Sequence, residues 1–307
     1  MKRTGFLLLF LLSLQTVQAQ KYIAVTVDDL PFVGADGDIK KVKEATGSML
    51  KTLKKHKVKA VGFVNEAYIL DRNRIKGNDE VLVNWLIKGH ELGNHTFSHM
   101  SLTKNTLEAY QEDVLSGMRH SNTLNIGYRH QPIRYFRHPY LQTGNDSLKK
   151  YGLEAFLKAY DLIPVPVTLE ADDWYFNQGY RKLLEDGKTS GAEEIGRLYV
   201  AHTLTAVKYY EALAQEVAGR PIKHIFLIHA NALNARYLEE ILNELEKQGY
   251  TFITVEEAMK DEVYQLPDRV LSEGGFSWLH RWRITAGKKT ALREPQIPQM
   301  VVDAYEK

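Results

Sequence analysis

The feature that most constrains how this chain can fold is a repeated alternation of short apolar runs with amphipathic helical segments. The apolar runs 22–27, 58–64 and 224–228 are predicted strands. Between the first two, the segment 38–57 repeats apolar residues at helical spacing along one face. Repeated strand–helix units favour a parallel sheet, either closed into a barrel or doubly wound.

The remaining segments extend this pattern. Helices are predicted at 78–88, from an N-cap at Asn105 to about 124, and at 234–248. A helical turn is predicted at 147–151, and further strands at 133–136, 153–158, 163–169 and 250–255. Residues 175–222 interrupt the alternation and are predicted to form a helical insertion, with a loop-like start near 187–192. Residues 261–307 form a C-terminal extension without clear periodicity.

The first nineteen residues are predicted to be a cleaved export signal. Lys2 and Arg3 precede an apolar core at 6–14, and small residues lead to a cleavage position near Ala19. The apolar core is too short to span a bilayer comfortably. We therefore expect residues 20–307 to form the mature protein, periplasmic or secreted, without a membrane span.

Charge and composition restrict the classes of partner. Lys and Arg number 40 against 38 Asp and Glu, and two of the cations, Lys2 and Arg3, belong to the predicted signal. The mature chain then has no charge excess that would attract nucleic acid or an anionic membrane surface. With no cysteine, disulfides are excluded. The length suits one domain with a single core.

Residues capable of hydrolytic chemistry follow the predicted strands. These residues are Asp28, Asp29, His95, His99, Arg137 and His229. In a parallel barrel the carboxyl ends of the strands converge on one face, where barrel enzymes keep their active sites. We therefore expect residues about 200 positions apart in sequence to meet there.

Two histidines and one carboxylate make a candidate metal centre. By itself the pair His95 and His99 also fits a solvated surface, and the pair Asp28 and Asp29 also fits a turn. Two adjacent carboxylates at the end of a buried strand are nevertheless costly without a cation or hydrogen bonds. Together the residues suit a catalytic divalent ion that keeps open positions, with zinc preferred and Co²⁺ or Ni²⁺ accepted. Asp29 is assigned to the metal and Asp28 to the base.

Five segments taken together resemble a known family. They are TVDD at 26–29, HTFSH at 95–99, RHPY at 137–140, DDW at 172–174 and LIH at 227–229. Their order is similar to that of the five motifs of the polysaccharide deacetylase family, carbohydrate esterase family 4, over about 22–260. The resemblance implies a distorted (β/α)7 barrel, here with a helical insertion and an aromatic-containing C-terminal tail. It also implies metal-dependent removal of acetyl groups from sugars.

The resemblance implies a role for each matching residue. Asp28 resembles the general base, His229 the general acid, and Arg137 the arginine that orients the base. Asp29, His95 and His99 resemble the metal ligands, and the backbone N–H of Tyr140 resembles the oxyanion donor. Leu227 and Trp174 resemble walls of the acetyl pocket, and Asp173 or Asp172 is expected to brace Arg137.

The chain departs from the family pattern at three places. Val27 stands where the family usually has an aromatic residue, and the motif around Trp174 is compressed. Ala230 and Asn231 follow His229, where relatives often have an Asp. None of these changes removes a residue that the chemistry requires.

The predicted activity is hydrolysis, by metal-activated water, of acetyl groups on an N-acetylated glycan of peptidoglycan or chitin type. His229 favours an amide substrate, because an amine leaving group needs a proton more than a sugar hydroxyl does. The alternatives are an O-acetyl esterase acting on a xylan-type glycan, a non-catalytic carbohydrate-binding homologue and an amidase for a non-sugar amide. The C-terminal tail is expected to wrap the barrel, and Trp278 and Trp282 are candidates for the edge of a sugar-binding groove.

Overall fold

The computed structural model describes residues 20–34, 38–70 and 78–306. Within these residues one 7-stranded parallel sheet has the order β5-β4-β3-β2-β1-β6, and β7 pairs with the start of β1. The strands are β1 (Lys21–Leu30), β2 (Val61–Val64), β3 (Glu91–Asn94), β4 (Tyr135–Phe136), β5 (Ile163–Pro164), β6 (Lys223–His229) and β7 (Tyr250–Phe252).

The segment 163–169 curls the sheet into a barrel. At its start, the N–H of Val165 donates to the Phe136 carbonyl over 2.8 Å; at its end, the Leu169 carbonyl accepts from the N–H of Leu227 over 2.9 Å. The segment begins as β5, at one end of the sheet, and its last residue pairs with β6, at the other end. The predicted distorted parallel barrel of the polysaccharide deacetylase type is confirmed.

Helices surround this sheet. They are α1 (Ile39–Lys55), α2 (Ala67–Leu70), α3 (Asn78–Ile87), α4 (Leu107–Ser116), α5 (Arg119–Arg129), α6 (Ser147–Ala159), α7 (Asp173–Glu185), α8 (Thr189–Ala218), α9 (Ala232–Lys247), α10 (Val255–Ala258), α11 (Trp278–Thr285) and α12 (Gln299–Glu306). Because helices cover the sheet, β1 is buried from Ile23 to Asp28 on both of its faces. Among the described residues, no helix is both long enough and apolar enough to cross a membrane.

The helix predicted from Asn105 to about 124 is two helices. Thr106, not Asn105, caps α4, and its Oγ1 accepts a hydrogen bond from the N–H of Ala109 over 3.2 Å. The helix ends at Gly117, where a Cβ would lie 2.3 Å from the Thr96 carbonyl carbon. Gly117 therefore allows α4 to contact the loop that carries His95 and His99.

The helical turn predicted at 147–151 is the start of a longer helix, and the strand predicted at 153–158 is wrong, because residues 147–159 form the single helix α6. Leu153 and Leu157 are four residues apart and are both buried, as in a helix that packs one face on the core. Gly152 does not end the helix. A Cβ there would lie 2.5 Å from the Leu107 side chain, so this glycine permits close packing of α6 on α4.

The interrupting region 175–222 consists largely of two packed helices, α7 and α8. The second begins at Thr189, so most of the predicted loop at 187–192 is helical.

In the C-terminal tail, Trp278 and Trp282 are buried rather than at a groove edge, with 6% and 3% of their surface exposed. The N–H of Trp278 donates to the Val167 carbonyl over 2.7 Å, which draws the tail against the barrel. The predicted export signal, 1–19, lies outside the described residues.

Candidate active site

The carboxyl ends of the central strands bring the predicted residues together. Asp28 on β1 lies opposite His229 on β6 in the parallel register. The pairing of β1 with β2 shifts between Val27 and Leu30, and Asp29 has a φ of 62°, in the left-handed region. Irregularities of this kind re-aim side chains next to active sites. Here both Asp28 and Asp29 line one cavity.

The loop of the two histidines is held by α4. Both the N–H and the hydroxyl of Ser98 donate to the Asp113 carboxylate over 3.0 Å, and the N–H of Phe97 donates to the Asp113 carbonyl. These bonds fix a loop in which Thr96 and His99 have φ values of 63° and 56°.

Asp29, His95 and His99 form a cluster suited to a cation. Oδ1 of Asp29 lies 3.5 Å from Nε2 of His95 and 3.6 Å from Nε2 of His99. These ligand atoms all lie within 4.8 Å of one another. Oδ1 of Asp29 is buried without a hydrogen-bond partner among the described residues. A buried anionic oxygen facing two imidazole nitrogens fits a shared divalent ion.

The tautomer of His95 supports the same assignment. Its Nδ1 lies 2.8 Å from the Arg137 carbonyl, which can only accept, so Nδ1 carries the proton and Nε2 keeps a lone pair toward Asp29. Burial lowers the pKa of His95 well below its usual value, with a further contribution from His99, and burial also lowers the pKa of His99. Both shifts favour the neutral ring, which is the form that binds metal.

Asp28 is paired with Arg137 deep in the site. The two side chains are buried, and Nη1 of Arg137 lies 3.5 Å from Oδ2 of Asp28. Arg137 also donates from Nη2 to Oγ1 of Thr26 over 2.9 Å and lies over the Phe63 ring. Burial raises the pKa of Asp28 to about 6, although the Arg137 charge opposes the rise. Oδ1 of Asp28 has no hydrogen-bond partner among the described residues and remains free to accept a proton.

His229 forms a second acid–base pair, with Asp173. Its Nδ1 lies 2.7 Å from Oδ1 of Asp173, and its backbone N–H donates to Oδ2 over 2.8 Å. Burial alone would lower the pKa of His229, but the charge and hydrogen bond of Asp173 outweigh it and raise the pKa to about 10. Since Nδ1 is occupied, Nε2 is the N–H available to donate elsewhere.

The expectation that Asp173 or Asp172 braces Arg137 is wrong. Asp173, which was also a candidate for substrate binding, is buried against His229 and is not among the residues that line the cavity. Asp172 instead contacts His202, with Oδ2 3.2 Å from Nε2. Asn231, which follows His229 where relatives often have an Asp, donates from Nδ2 to Oδ2 of Asp173 over 3.0 Å. This departure therefore supports the His229–Asp173 pair.

A cavity of about 510 Å³ opens over these groups. It is lined by Asp28, Asp29, His95, His99, His138, Tyr140, Leu141, Gln142, Glu170, Trp174, Leu227, His229, Gly274 and Gly275. Trp174 and Leu227, the expected walls of the acetyl pocket, both line this cavity. Tyr140 has a φ of 55°, and its ring packs edge-on against His99 with the ring centroids 4.4 Å apart.

Sequence reasoning missed Glu170 and the two tail glycines in this cavity. Burial, followed by the nearby charge of Asp172, raises the pKa of Glu170 to about 7. Glu170 directly follows the predicted strand 163–169, so the rule that found Asp28 and His229 could also have found it. Nothing in the sequence around Gly274 and Gly275 indicates that the tail returns to the site.

A parallel barrel with two acid–base pairs beside an Asp–His–His cluster defines a barrel hydrolase. Residues 16–156 match the family model for polysaccharide deacetylases. This match covers 141 of the 307 residues, and it supports a polysaccharide deacetylase of carbohydrate esterase family 4.

Individual relatives agree with this assignment. The chain is 26% identical over 243 residues to a peptidoglycan-N-acetylglucosamine deacetylase of Bacillus cereus, covering 78% of this chain and 89% of the relative. Among solved structures, a mutant of the peptidoglycan deacetylase PdaC from Bacillus subtilis matches with a TM-score of 0.51 and 21% identity, covering 79% of this chain and 93% of that one.

Another similar structure is a carbohydrate esterase family 4 pseudoenzyme in a mutant form with restored enzymatic activity. It matches with a TM-score of 0.53 and 18% identity, covering 79% of this chain and 68% of that one. At these identities the two solved structures bear on the fold alone.

Proposed function

We propose that this protein is an exported, metal-dependent hydrolase that removes acetyl groups from an N-acetylated glycan of peptidoglycan or chitin type. The observation that carries the proposal is that Asp28 and His229 line one cavity with the Asp29–His95–His99 cluster. Behind them, Arg137 pairs with Asp28 and Asp173 pairs with His229. One pair can take a proton and the other can give one. The similar Bacillus cereus protein, a peptidoglycan-N-acetylglucosamine deacetylase, supports a peptidoglycan substrate.

Asp29, His95 and His99 would hold the metal, and zinc is the preferred ion. Their fit rests on the unpaired Oδ1 of Asp29 and on the His95 tautomer, which directs a lone pair toward it. A divalent ion bound there supplies Lewis-acid chemistry, making water more acidic and polarising the acetyl carbonyl.

Asp28 acts as the base. As water attacks the acetyl carbonyl carbon, its proton passes to the Asp28 carboxylate, whose Oδ1 has no other partner among the described residues. Arg137 keeps that carboxylate ionised and fixes its orientation, while Thr26 and Phe63 hold the guanidinium.

His229 acts as the acid. The bond between the carbonyl carbon and the sugar nitrogen breaks, and the proton on Nε2 of His229 passes to the leaving amine, so that acetate and a free amino sugar form. Asp173 keeps the imidazolium charged and oriented. The backbone N–H of Tyr140 is assigned to the oxyanion, and Trp174 and Leu227 to the sides of the acetyl group.

Acetate release by zinc-loaded protein comprising residues 20–307 tests the proposal. Peptidoglycan fragments and N-acetylglucosamine oligomers are compared with acetylated xylan, and Asp28→Asn serves as the inactive control. We expect acetate from the N-acetylated glycans. Acetate from xylan alone would support an O-acetyl esterase, and glycan binding without acetate release would identify a non-catalytic homologue.

A further inference from the structure

The turn that contains Tyr140, the proposed oxyanion donor, has an unfavourable backbone conformation. Tyr140 and Leu141 are consecutive residues other than glycine, and their φ values are 55° and 53°. Side chains disfavour this left-handed region, and such residues persist only where the surroundings fix them. Contacts outside the turn must therefore hold it in place.

The C-terminal tail supplies those contacts. The carbonyl of Glu273 accepts from Nε2 of Gln142 over 3.0 Å, and its carboxylate accepts from Nδ2 of Asn145 over 2.7 Å. The N–H of Ser272 donates to the carbonyl of Gly144 over 3.1 Å. The tail therefore runs alongside residues 142–145, directly after the turn.

The backbone of Gly275 packs directly against the turn itself. A Cβ at this position would lie 1.9 Å from the Tyr140 carbonyl oxygen and 2.4 Å from the Leu141 carbonyl carbon. Gly275 is not among the residues with positive φ, so glycine is needed here for space and not for backbone freedom. The neighbouring Gly274 also lines the cavity, but a Cβ there would meet nothing within 4 Å.

A buried ionic network anchors the tail on both sides of the glycines. Oδ2 of Asp268 accepts from Nζ of Lys150 over 2.9 Å and from Nε of Arg281 over 2.8 Å. Arg281 also donates to Oγ1 of Thr143, two residues beyond Leu141. Lys150 and Arg281 are almost fully buried, so both cations need the Asp268 carboxylate as their counter-charge. These ion pairs fix the path of the tail.

We propose that residues 268–281 are part of the catalytic apparatus, and that Gly275 is a positioning residue that sets the Tyr140 backbone for oxyanion binding. The inference rests on the proposed function. It assigns a role to a segment that lies beyond residues 16–156, where the family model matches. Close backbone approach at Gly275 fixes the carbonyl of Tyr140, and through the short turn it fixes the N–H of the same residue.

The variants Gly275→Ala and Gly127→Ala test the proposal. Gly127 lies in α5, is not among the residues that line the cavity, and would meet nothing within 4 Å with a Cβ. Loss of an oxyanion donor costs on the order of 100-fold in kcat. For Gly275→Ala we therefore expect kcat to fall by about 10- to 100-fold, with zinc content and KM unchanged. Gly127→Ala should retain wild-type kcat. Equal kcat in the two variants, or a loss from Gly275→Ala that only follows lost zinc, would overturn the proposal.

A second measurement does not depend on turnover. Amide hydrogen exchange of the peptide covering 138–145 should be faster in Gly275→Ala than in wild type and unchanged in Gly127→Ala. Identical exchange in all three proteins would overturn the positioning role. A wild-type protein that releases no acetate would instead refute the proposed function, and with it the catalytic role of Gly275. The exchange measurement would still test whether Gly275 holds the turn at Tyr140 and Leu141.

Variants at Glu273 keep the test available if Gly275→Ala does not fold. Glu273→Ala removes the acceptor for Asn145, and we expect a smaller kcat loss with the same faster exchange at 138–145. Glu273→Gln keeps an acceptor and should restore both values. If Glu273→Ala changes neither value, or Glu273→Gln restores neither, the proposed role of the tail is wrong.

Discussion

Replacing Asp173 with Asn separates the charge of this residue from its shape. Asp173 holds Nδ1 of His229 over 2.7 Å. Burial alone would lower the pKa of that ring, but the charge and hydrogen bond of Asp173, with smaller contributions from Asp29 and Asp28, raise it from an ordinary 6.5 to about 10. This shift corresponds to roughly 5 kcal/mol of preference for the protonated ring, since each pKa unit is about 1.36 kcal/mol. Asn keeps the size and an acceptor oxygen but removes the charge. Because burial disfavours the charged ring while Asp29 and Asp28 still favour it, the pKa of His229 should fall toward 6.5.

The expected consequence is a new decline of kcat at alkaline pH. With a pKa of about 6.5, about one tenth of the rings carry the acid proton at pH 7.5, and about one hundredth at pH 8.5. Acetate release from an N-acetylglucosamine oligomer, measured from pH 6 to 9, should therefore fall about tenfold per pH unit in Asp173→Asn above pH 6.5. Wild type should show no such decline until higher pH. A bound cation would shift both profiles toward lower pH, so the difference between them is the quantity tested.

Asp172→Asn is the matched control, because Asp172 contacts His202 and not His229. Its pH profile should follow wild type. A profile for Asp173→Asn that is as flat as wild type would refute the assignment of His229 as an acid held protonated by Asp173.

Three further variants test other parts of the account. Asp29→Ala should lose bound zinc and activity together, measured by elemental analysis and acetate release; retained stoichiometric zinc would contradict the ligand assignment. Asp28→Asn should bind zinc normally yet lose nearly all turnover, and near-normal kcat would remove Asp28 as the base. Burial lowers the pKa of His224 from 6.5 to about 4, so the unfolded chain takes up this proton first as pH falls, and stability is lost between pH 6.5 and 4. His224→Gln should abolish roughly 3 kcal/mol of that pH dependence in urea unfolding; an unchanged pH dependence would contradict the buried neutral ring.

The order of elements and most of the site could be predicted because strand ends in a parallel barrel meet at one face. That rule brought Asp28 and His229 together from opposite ends of the chain, and the structure places them opposite each other. The rule states which residues converge and not which side chains pair. The sequence therefore assigned either Asp173 or Asp172 to Arg137, whereas the structure pairs Asp173 with His229 and Asp172 with His202.

Other failures have different physical causes. A short apolar run has no unique period, so 153–158 was assigned to a strand although Leu153 and Leu157 lie on the buried face of α6. Trp278 and Trp282 were expected at a sugar groove because an aromatic ring suits both stacking and burial. Only the path of the tail decides between the two, and here it buries both rings.

The most direct test of the central claim is acetate release from N-acetylglucosamine oligomers by the chelator-stripped protein before and after zinc is restored. The account predicts negligible release without metal, recovery at one zinc ion per chain, and no recovery in Asp28→Asn despite bound zinc. Equal release with and without metal, or none in the zinc-loaded protein, would contradict it.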